Sequence, residues 1–261
     1  MNFLAIDDYD REGRHLQRAL VRRNIDKLTF RASDTVLDVG CGSGEETKSI
    51  AKKVGSVTGI DASFEMLAYA RANNHAPNMT YIHGDALTMG GNLYLQDRFD
   101  KAVSFLVLNW IVDQAGALRS ILACLKTGGE ALFIVCNRTH LIDEANQFLQ
   151  HHSKWGIYAK DFRTSYHFWN RSISETKLLL GACGWTNVRC ELQHHEPITD
   201  VQTKLYLKTS LGMSARIPES EQEAYLDDMW QWALFRYEEP SKPDHVRLPA
   251  EMIIIHAAKP L

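Results

Sequence analysis

The sequence predicts an α/β fold: a seven-stranded, mostly parallel sheet flanked by helices, with a helical, aromatic-rich cap contributed by late insertions. Three observations carry this. Short runs rich in Val and Ile alternate with helical patterns from Val36 to Val135. A glycine turn, Gly40-Cys41-Gly42-Ser43-Gly44, stands between the first such run and the first helix of the alternation. After Val135 the rhythm breaks and aromatic side chains crowd.

Ahead of the alternation, residues 10–29 place Leu16, Leu20, Ile25 and Leu28 at near-helical spacing, and the arginines between them read as a solvated helix side. Strands are expected at Val36–Val39, Val57–Ile60, Met79–Ile82, Ala102–Phe105 and Ala131–Val135, separated by helices at 44–53, 63–74 and 114–126. Strands alternating with helices imply a parallel sheet with right-handed crossovers. Lys126-Thr-Gly-Gly129 reads as a helix stop and turn before the fifth strand. Residues 137–170 hold Trp155, Tyr158, Phe162, Tyr166, Phe168 and Trp169 without clean periodicity. A helix over 172–183, stopped by Gly184, and a strand over Trp185–Leu192 follow. Residues 199–236 read as helical, interrupted at Ile217-Pro218, and Met252–His256 is the last strand. The expected organisation is a single domain over 1–261, with a ligand-binding core at 30–136 and insertions at 137–170 and 199–236 covering the carboxyl edge of the sheet.

Bulk properties narrow the class. A net charge of -3 gives no reason to expect a nucleic-acid or membrane partner. The opening Met-Asn-Phe-Leu-Ala-Ile-Asp-Asp lacks the basic region and apolar run of a signal peptide, and the longest apolar stretches are strand-sized. Five cysteines (Cys41, Cys124, Cys136, Cys183 and Cys190), odd in number and without CxxC spacing, predict reduced thiols, a cytoplasmic location and no zinc site. The doublets His151-His152 and His194-His195 have no third ligand spaced to join them, so no metal is expected.

The glycine turn carries the chemistry. Glycines at alternate positions let a ligand lie on backbone, and Asp61 and Asp85 at the ends of the next two strands can grip the hydroxyls and amino groups of a nucleoside. A dinucleotide fingerprint needs glycine at the sixth position of the turn, where this chain has Glu45. A carboxylate there opposes a pyrophosphate at the helix N-terminus. No Gly-Lys-Ser/Thr occurs, so the Walker loop is absent. The pattern suits a neutral or cationic ligand that bears an adenosine.

Residues 36–136 closely resemble the class I S-adenosylmethionine-dependent methyltransferases, whose fold is Rossmann-like. The resemblance implies S-adenosyl-L-methionine as cofactor. Its glycine turn packs against the methionine moiety, the acid at Asp61 holds the ribose hydroxyls and the acid at Asp85 meets the adenine amino group. Gly40, Cys41, Gly42, Asp61, Ala62, Met66, Asp85, Ala86 and Phe105 are the implied cofactor-binding residues.

The segment after the fourth strand faces the methyl group, and here it reads Ser104-Phe-Leu-Val-Leu-Asn-Trp-Ile111. It has neither the Asp/Asn-Pro-Pro-Tyr of amine methylation nor paired glutamates. The run from Leu108 to Asp113 resembles the juvenile hormone acid O-methyltransferases, which carry Leu-His-Trp-Ile in the same place. Tyr9, Gln17, Lys154-Trp155 and Ser165-Tyr-His167 follow that family's order, with Asn109 in place of His and Thr164-Ser165 in place of Ser-Pro. The resemblance implies that Gln17 and Trp110 hold a substrate carboxylate. A carboxylate is ionised at neutral pH, so it attacks without a base, and two neutral donors orient it without quenching it. Tyr9, Trp155 and Tyr166 are the implied pocket for an apolar tail. Each also reads in another way: Trp110 as core, Gln17 as surface, Trp155 and Tyr166 as interior of the cap. His167 reads either as a donor to a carboxylate or as a base for a hydroxyl acceptor. The expected reaction is methyl-ester formation on a small, mostly apolar acid such as juvenile hormone acid or farnesoic acid. The alternative is O-, N- or C-methylation of a phenol, amine or carbon acid with His167 as base.

Overall fold

The computed structural model describes residues 15–201 and 213–261, so Tyr9 and part of the 199–236 segment lie outside the described residues. Seven strands form one sheet: β1 (Thr35–Val39), β2 (Ser56–Asp61), β3 (Met79–His83), β4 (Phe99–Phe105), β5 (Leu125–Arg138), β6 (Thr186–His195) and β9 (Ala250–Ala258), in the order β3-β2-β1-β4-β5-β9-β6. The pairs β1–β2, β1–β4, β2–β3 and β4–β5 are parallel. The central strands are buried on both faces, which explains their unbroken apolar runs. Ala131 to Val135 on β5 are wholly inaccessible to solvent.

Helices α1 (His15–Asn24), α2 (Glu45–Ala51), α3 (Phe64–Asn73), α4 (Gln114–Cys124) and α7 (Ile173–Ala182) fall where the sequence places them. Their starts are written in polar side chains. Ser63 Oγ accepts from Met66 N at α3, Asp113 accepts from Gly116 N at α4, and Ser172 with Glu175 closes a capping box at α7. One core joins Leu37, Val39 and Ala102 of the sheet to Leu118 and Ile121 of α4, with Trp169 and Trp185 packed in from the later chain.

Two elements differ from expectation, and the helical cap takes a definite form. Lys126-Thr-Gly-Gly129 is no free turn, because β5 starts at Leu125 and runs through it. Phe99 pairs with Leu125 and Lys101 with Glu130, so the segment is an irregularity within the ladder, with Gly128 at φ +74°. Residues 141–151 form a full amphipathic helix, α5 (Leu141–His151), with Leu141, Ile142, Ala145 and Leu149 buried. A two-stranded antiparallel ribbon, β7 (Ile198–Thr199) with β8 (Val246–Arg247), was not expected at all.

The chain divides into two compact units. One comprises Val21–Asn137, His167–Gln193 and Met252–Leu261 and holds the glycine turn and most of the sheet. The other comprises Arg138–Tyr166 with the described residues of 15–20 and 194–251. The second is built around α5, the short α6 (Gly156–Ala159) and α8 (Gln222–Tyr237). Arg236 and Tyr237 of α8 both donate to the Glu144 carboxylate on α5, at 2.6, 3.0 and 3.0 Å. Trp155 is fully buried in this unit, stacked edge-on to Tyr225.

Candidate active site

The glycine turn is tied to the sheet before any ligand is considered. Gly40 N and Cys41 N both donate to Ile60 O at the end of β2, at 2.7 and 3.0 Å, and Thr47 Oγ1 donates to the buried Asp38 carboxylate at 2.6 Å to fix the start of α2. The three glycines serve different purposes. A Cβ at Gly40 would stand 2.2 Å from a Val107 methyl, and one at Gly44 would stand 2.1 Å from the Tyr81 hydroxyl, so both are covered by protein. Gly42 (φ +54°) has nothing within 4 Å of where its Cβ would be. Of the three, only Gly42 leaves open space where its Cβ would stand. Cys41 is buried beneath it, its sulfur packed where a Cβ on Gly59 would fall.

Asp61 closes the turn from the next strand. One carboxylate oxygen accepts Gly42 N at 2.8 Å and the other accepts Ser63 N at 2.9 Å. Burial pushes the Asp61 carboxyl above its ordinary range, opposed by the N–H groups of Ser63, Gly42 and Ala62 and by His83. Each oxygen has a second lone-pair direction, so a carboxylate already aimed by backbone can still accept two hydroxyls. Asp85, beyond the end of β3, is exposed and accepts Leu87 N at 2.8 Å. Ala62 is exposed between β2 and α3, whereas Met66 and Ala86 are buried. Sequence reasoning missed a neighbouring feature. Phe64, 64% exposed, stacks on His83 with ring centroids 3.6 Å apart and planes 8° from parallel. His83 pairs with Asp61 in the β2–β3 register, so this flat aromatic surface borders the acid. A large aromatic residue at the first, solvent-facing position of a helix is the signal that could have revealed it.

The loop after β4 leans on the turn. Phe105, half-buried, ends the strand. Leu106 takes a left-handed conformation (φ +61°) while its N donates to Ile134 O at 2.7 Å. This kink lays Val107 over Gly40 and leads into a single 3-10 turn, Leu108–Trp110. Trp110 is half-buried. Asn109 is fully buried and holds the backbone of Cys136 and His167, and His167 is itself half-buried. Trp110 and His167 thus flank one hydrogen-bonded seam centred on Asn109, and the loop that carries Trp110 packs on the glycine turn through Val107. Gln17 lies half-buried on α1 in the other unit. Within that unit Trp155 gives its indole N–H to Asp228 at 2.8 Å, and Tyr166 is half-buried with its N donating to Thr164 Oγ1.

Among the described residues no three His, Cys, Asp or Glu side chains gather as metal ligands, and no helix is long and apolar enough to cross a membrane. No disulfide joins any of the five cysteines.

The sheet carries an open glycine in the turn after β1, an acid at the end of β2 and another beyond β3, a set of groups that can meet a nucleoside. Residues 37–133 match the methyltransferase domain family. The chain is 27% identical over 207 residues to juvenile hormone acid O-methyltransferase of Drosophila melanogaster, covering 75% of this chain and 69% of that protein. It is 33% identical over 121 residues to trans-aconitate 2-methyltransferase of Deinococcus radiodurans, covering 43% and 44%. The first curated relatives are matched over 44% to 69% of their own length. The fold is shared with the YcgJ protein of Bacillus subtilis, at TM-score 0.63 and 17% identity over 95% of this chain and 99% of that one. The residues matched to the methyltransferase domain family, 37–133, are those that carry the glycine turn, Asp61 and Asp85.

Proposed function

We propose that the protein transfers the methyl group of S-adenosylmethionine to the carboxylate of a small, mostly apolar acid, giving a methyl ester. The single observation that carries this reading is the loop Val107–Ile111. It lies directly against the glycine turn and carries an indole N–H donor at Trp110, and no carboxylate or lysine in that stretch could serve as a base. Two relatives are named for carboxylic acids, juvenile hormone acid and trans-aconitate, which supports the acceptor class.

The cofactor supplies a methyl on a positively charged sulfur, which an ionised oxygen can displace in line. The tasks left to the chain are orientation and exclusion of water. Gly42 offers a surface without a side chain, Asp61 and Asp85 offer acceptors for hydroxyl and amino groups, and the aromatic surface of Phe64 and His83 borders them. Trp110 orients a carboxylate whose unperturbed pKa of about 4 leaves it ionised at neutral pH. No proton has to move in that reaction, and His167 acts as a donor.

A labelled-methyl assay over a panel of carboxylic acids, phenols and amines tests this, with farnesoic and juvenile-hormone-like acids first. A base-labile methyl product is expected from an apolar acid. A base-stable product from a phenol or amine, lost in His167→Ala, would replace the ester reading with base-assisted transfer.

A further inference from the structure

Asn109 stands where the resembling enzymes carry His, and its surroundings give it a task of its own. It is fully buried, and its amide group is fully used. Nδ2 donates to Cys136 O at 2.8 Å and to His167 O at 2.9 Å, while Oδ1 accepts Cys136 N at 2.9 Å. Its own backbone O accepts His167 N at 2.6 Å. One side chain therefore joins three segments that are distant in sequence: the 3-10 turn after β4, the end of β5 and the stretch that carries His167. Trp169 N extends the seam by donating to Cys136 O at 3.0 Å.

A primary amide fits this place. Two carbonyl oxygens take its two N–H groups and one peptide N–H takes its oxygen, which is the inventory of Asn. Cys136 O also has Trp169 N, so His167 O and Cys136 N are the groups that lean most on this side chain. Asp would set an oxygen against both carbonyls, and His could supply one donor and one acceptor but not a second donor. A buried peptide group left without its partner is costly, so the seam has one low-energy arrangement.

We infer that Asn109 is a positioning residue for the acceptor side of the reaction. It touches neither cofactor nor acceptor but fixes the turn that presents Trp110 and the backbone that presents His167 in one register. This rests on the proposed methyl transfer. The Gly42 surface and Asp61 do not depend on it, since their hydrogen bonds run to β2 and to residues 42–63.

The test compares wild type with Asn109→Asp and Asn109→His. It measures thermal melting, S-adenosylmethionine affinity by calorimetry, steady-state kinetics on an acceptor that wild type methylates, and hydrogen exchange at the Cys136 and His167 amides. Both variants should keep cofactor affinity within about threefold. In Asn109→Asp, kcat/KM for the acceptor should fall by about 100-fold, the cost of a displacement of about an ångström in a reacting geometry. Exchange at both amides should speed up. Asn109→His should recover part of both losses, and it decides the matter alone if Asn109→Asp does not fold. Wild-type kcat/KM and unchanged exchange in a folded variant would overturn the inference. So would turnover and cofactor affinity falling together by the same factor. If wild type methylates no acid, the carboxylate reading fails separately. The comparison is then made on whichever acceptor is methylated, and with none, unchanged amide exchange would overturn the seam.

Discussion

At the scale of single residues, the glycine turn separates two kinds of constraint that look alike in sequence. Gly40 and Gly42 both have positive φ, +75° and +54°, but only Gly40 is pressed by a neighbouring side chain. Gly42→Ala costs about 1–2 kcal/mol of backbone strain and places a methyl on the face reserved for the ligand. The expected result is a modestly less stable protein that has lost at least about tenfold in S-adenosylmethionine affinity by calorimetry. Gly40→Ala drives a methyl into Val107 and should destabilise the fold by about 2–3 kcal/mol, with partial recovery in Gly40→Ala/Val107→Ala. Asp61→Ala removes a carboxylate that backbone N–H groups already aim. Two hydroxyl contacts to a charged acceptor are worth together about 3 kcal/mol, so affinity should drop about 100-fold. Unchanged affinity would remove Asp61 from the cofactor site. The turn and the places of both acids at the strand ends were legible in sequence because glycines and carboxylates stand out against the apolar runs around them. Val107, Tyr81 and Phe64 were not, because their roles arise from contacts with residues far along the chain or from exposure that only the fold reveals.

At the scale of elements, legibility follows the same division. Strands β1, β4 and the later part of β5 could be read because burial on both faces leaves continuous apolar runs. Helices α3, α4 and α7 could be read because Ser63, Asp113 and Ser172 mark their starts. Within the expected helical cap, the bounds of α5 were hidden because its buried positions, Leu141, Ile142, Ala145 and Leu149, are modest aliphatics in a region dominated to the eye by aromatics. The early start of β5 was hidden because Gly128-Gly129 resembles a turn, while strand pairing there is held by a distant ion pair. Asp100 on β4 accepts Thr35 N of β1 at 2.8 Å and Lys126 Nζ of β5 at 2.8 and 2.9 Å. Burial opposes ionisation of Asp100, but Lys126 and Thr35 outweigh it and hold the carboxyl down at about 2. Its folded pKa lies below its unfolded value of about 4, so its contribution is complete above that value and fades as pH falls towards 2. Acid unfolding of Asp100→Asn should therefore be flatter than that of wild type between about pH 4 and 2, followed by circular dichroism.

At the scale of the whole sheet, charges run across four adjacent strands. Lys101 of β4 pairs with Glu130 of β5, Glu130 with His256 of β9 at 3.1 Å, and Arg189 of β6 reaches His256 Nδ1 at 3.2 Å. Arg189 can only donate, so Nδ1 accepts and Nε2 carries the proton given to Glu130. The geometry requires the neutral imidazole. Burial lowers the His256 pKa, with Arg189 and Lys101 acting in the same direction against the pull of Glu130. The sign of the linkage follows. Below about pH 6.5 the unfolded chain takes up a proton at this position that the folded chain refuses, so stability declines as pH falls through that range. Glu130 acts at lower pH: burial opposes its ionisation, but Lys101 and its neighbours depress its pKa, and its contribution is lost only below the ordinary glutamate range. Denaturant midpoints measured at pH 7.5 and 5.5 should show wild type losing stability at the lower pH. His256→Gln keeps a donor for Glu130 and an acceptor for Arg189 but cannot titrate, so it should lose measurably less over the same interval. Equal losses in the two proteins would show that this imidazole does not couple the sheet to pH, and that the row of charges serves only to pair the strands.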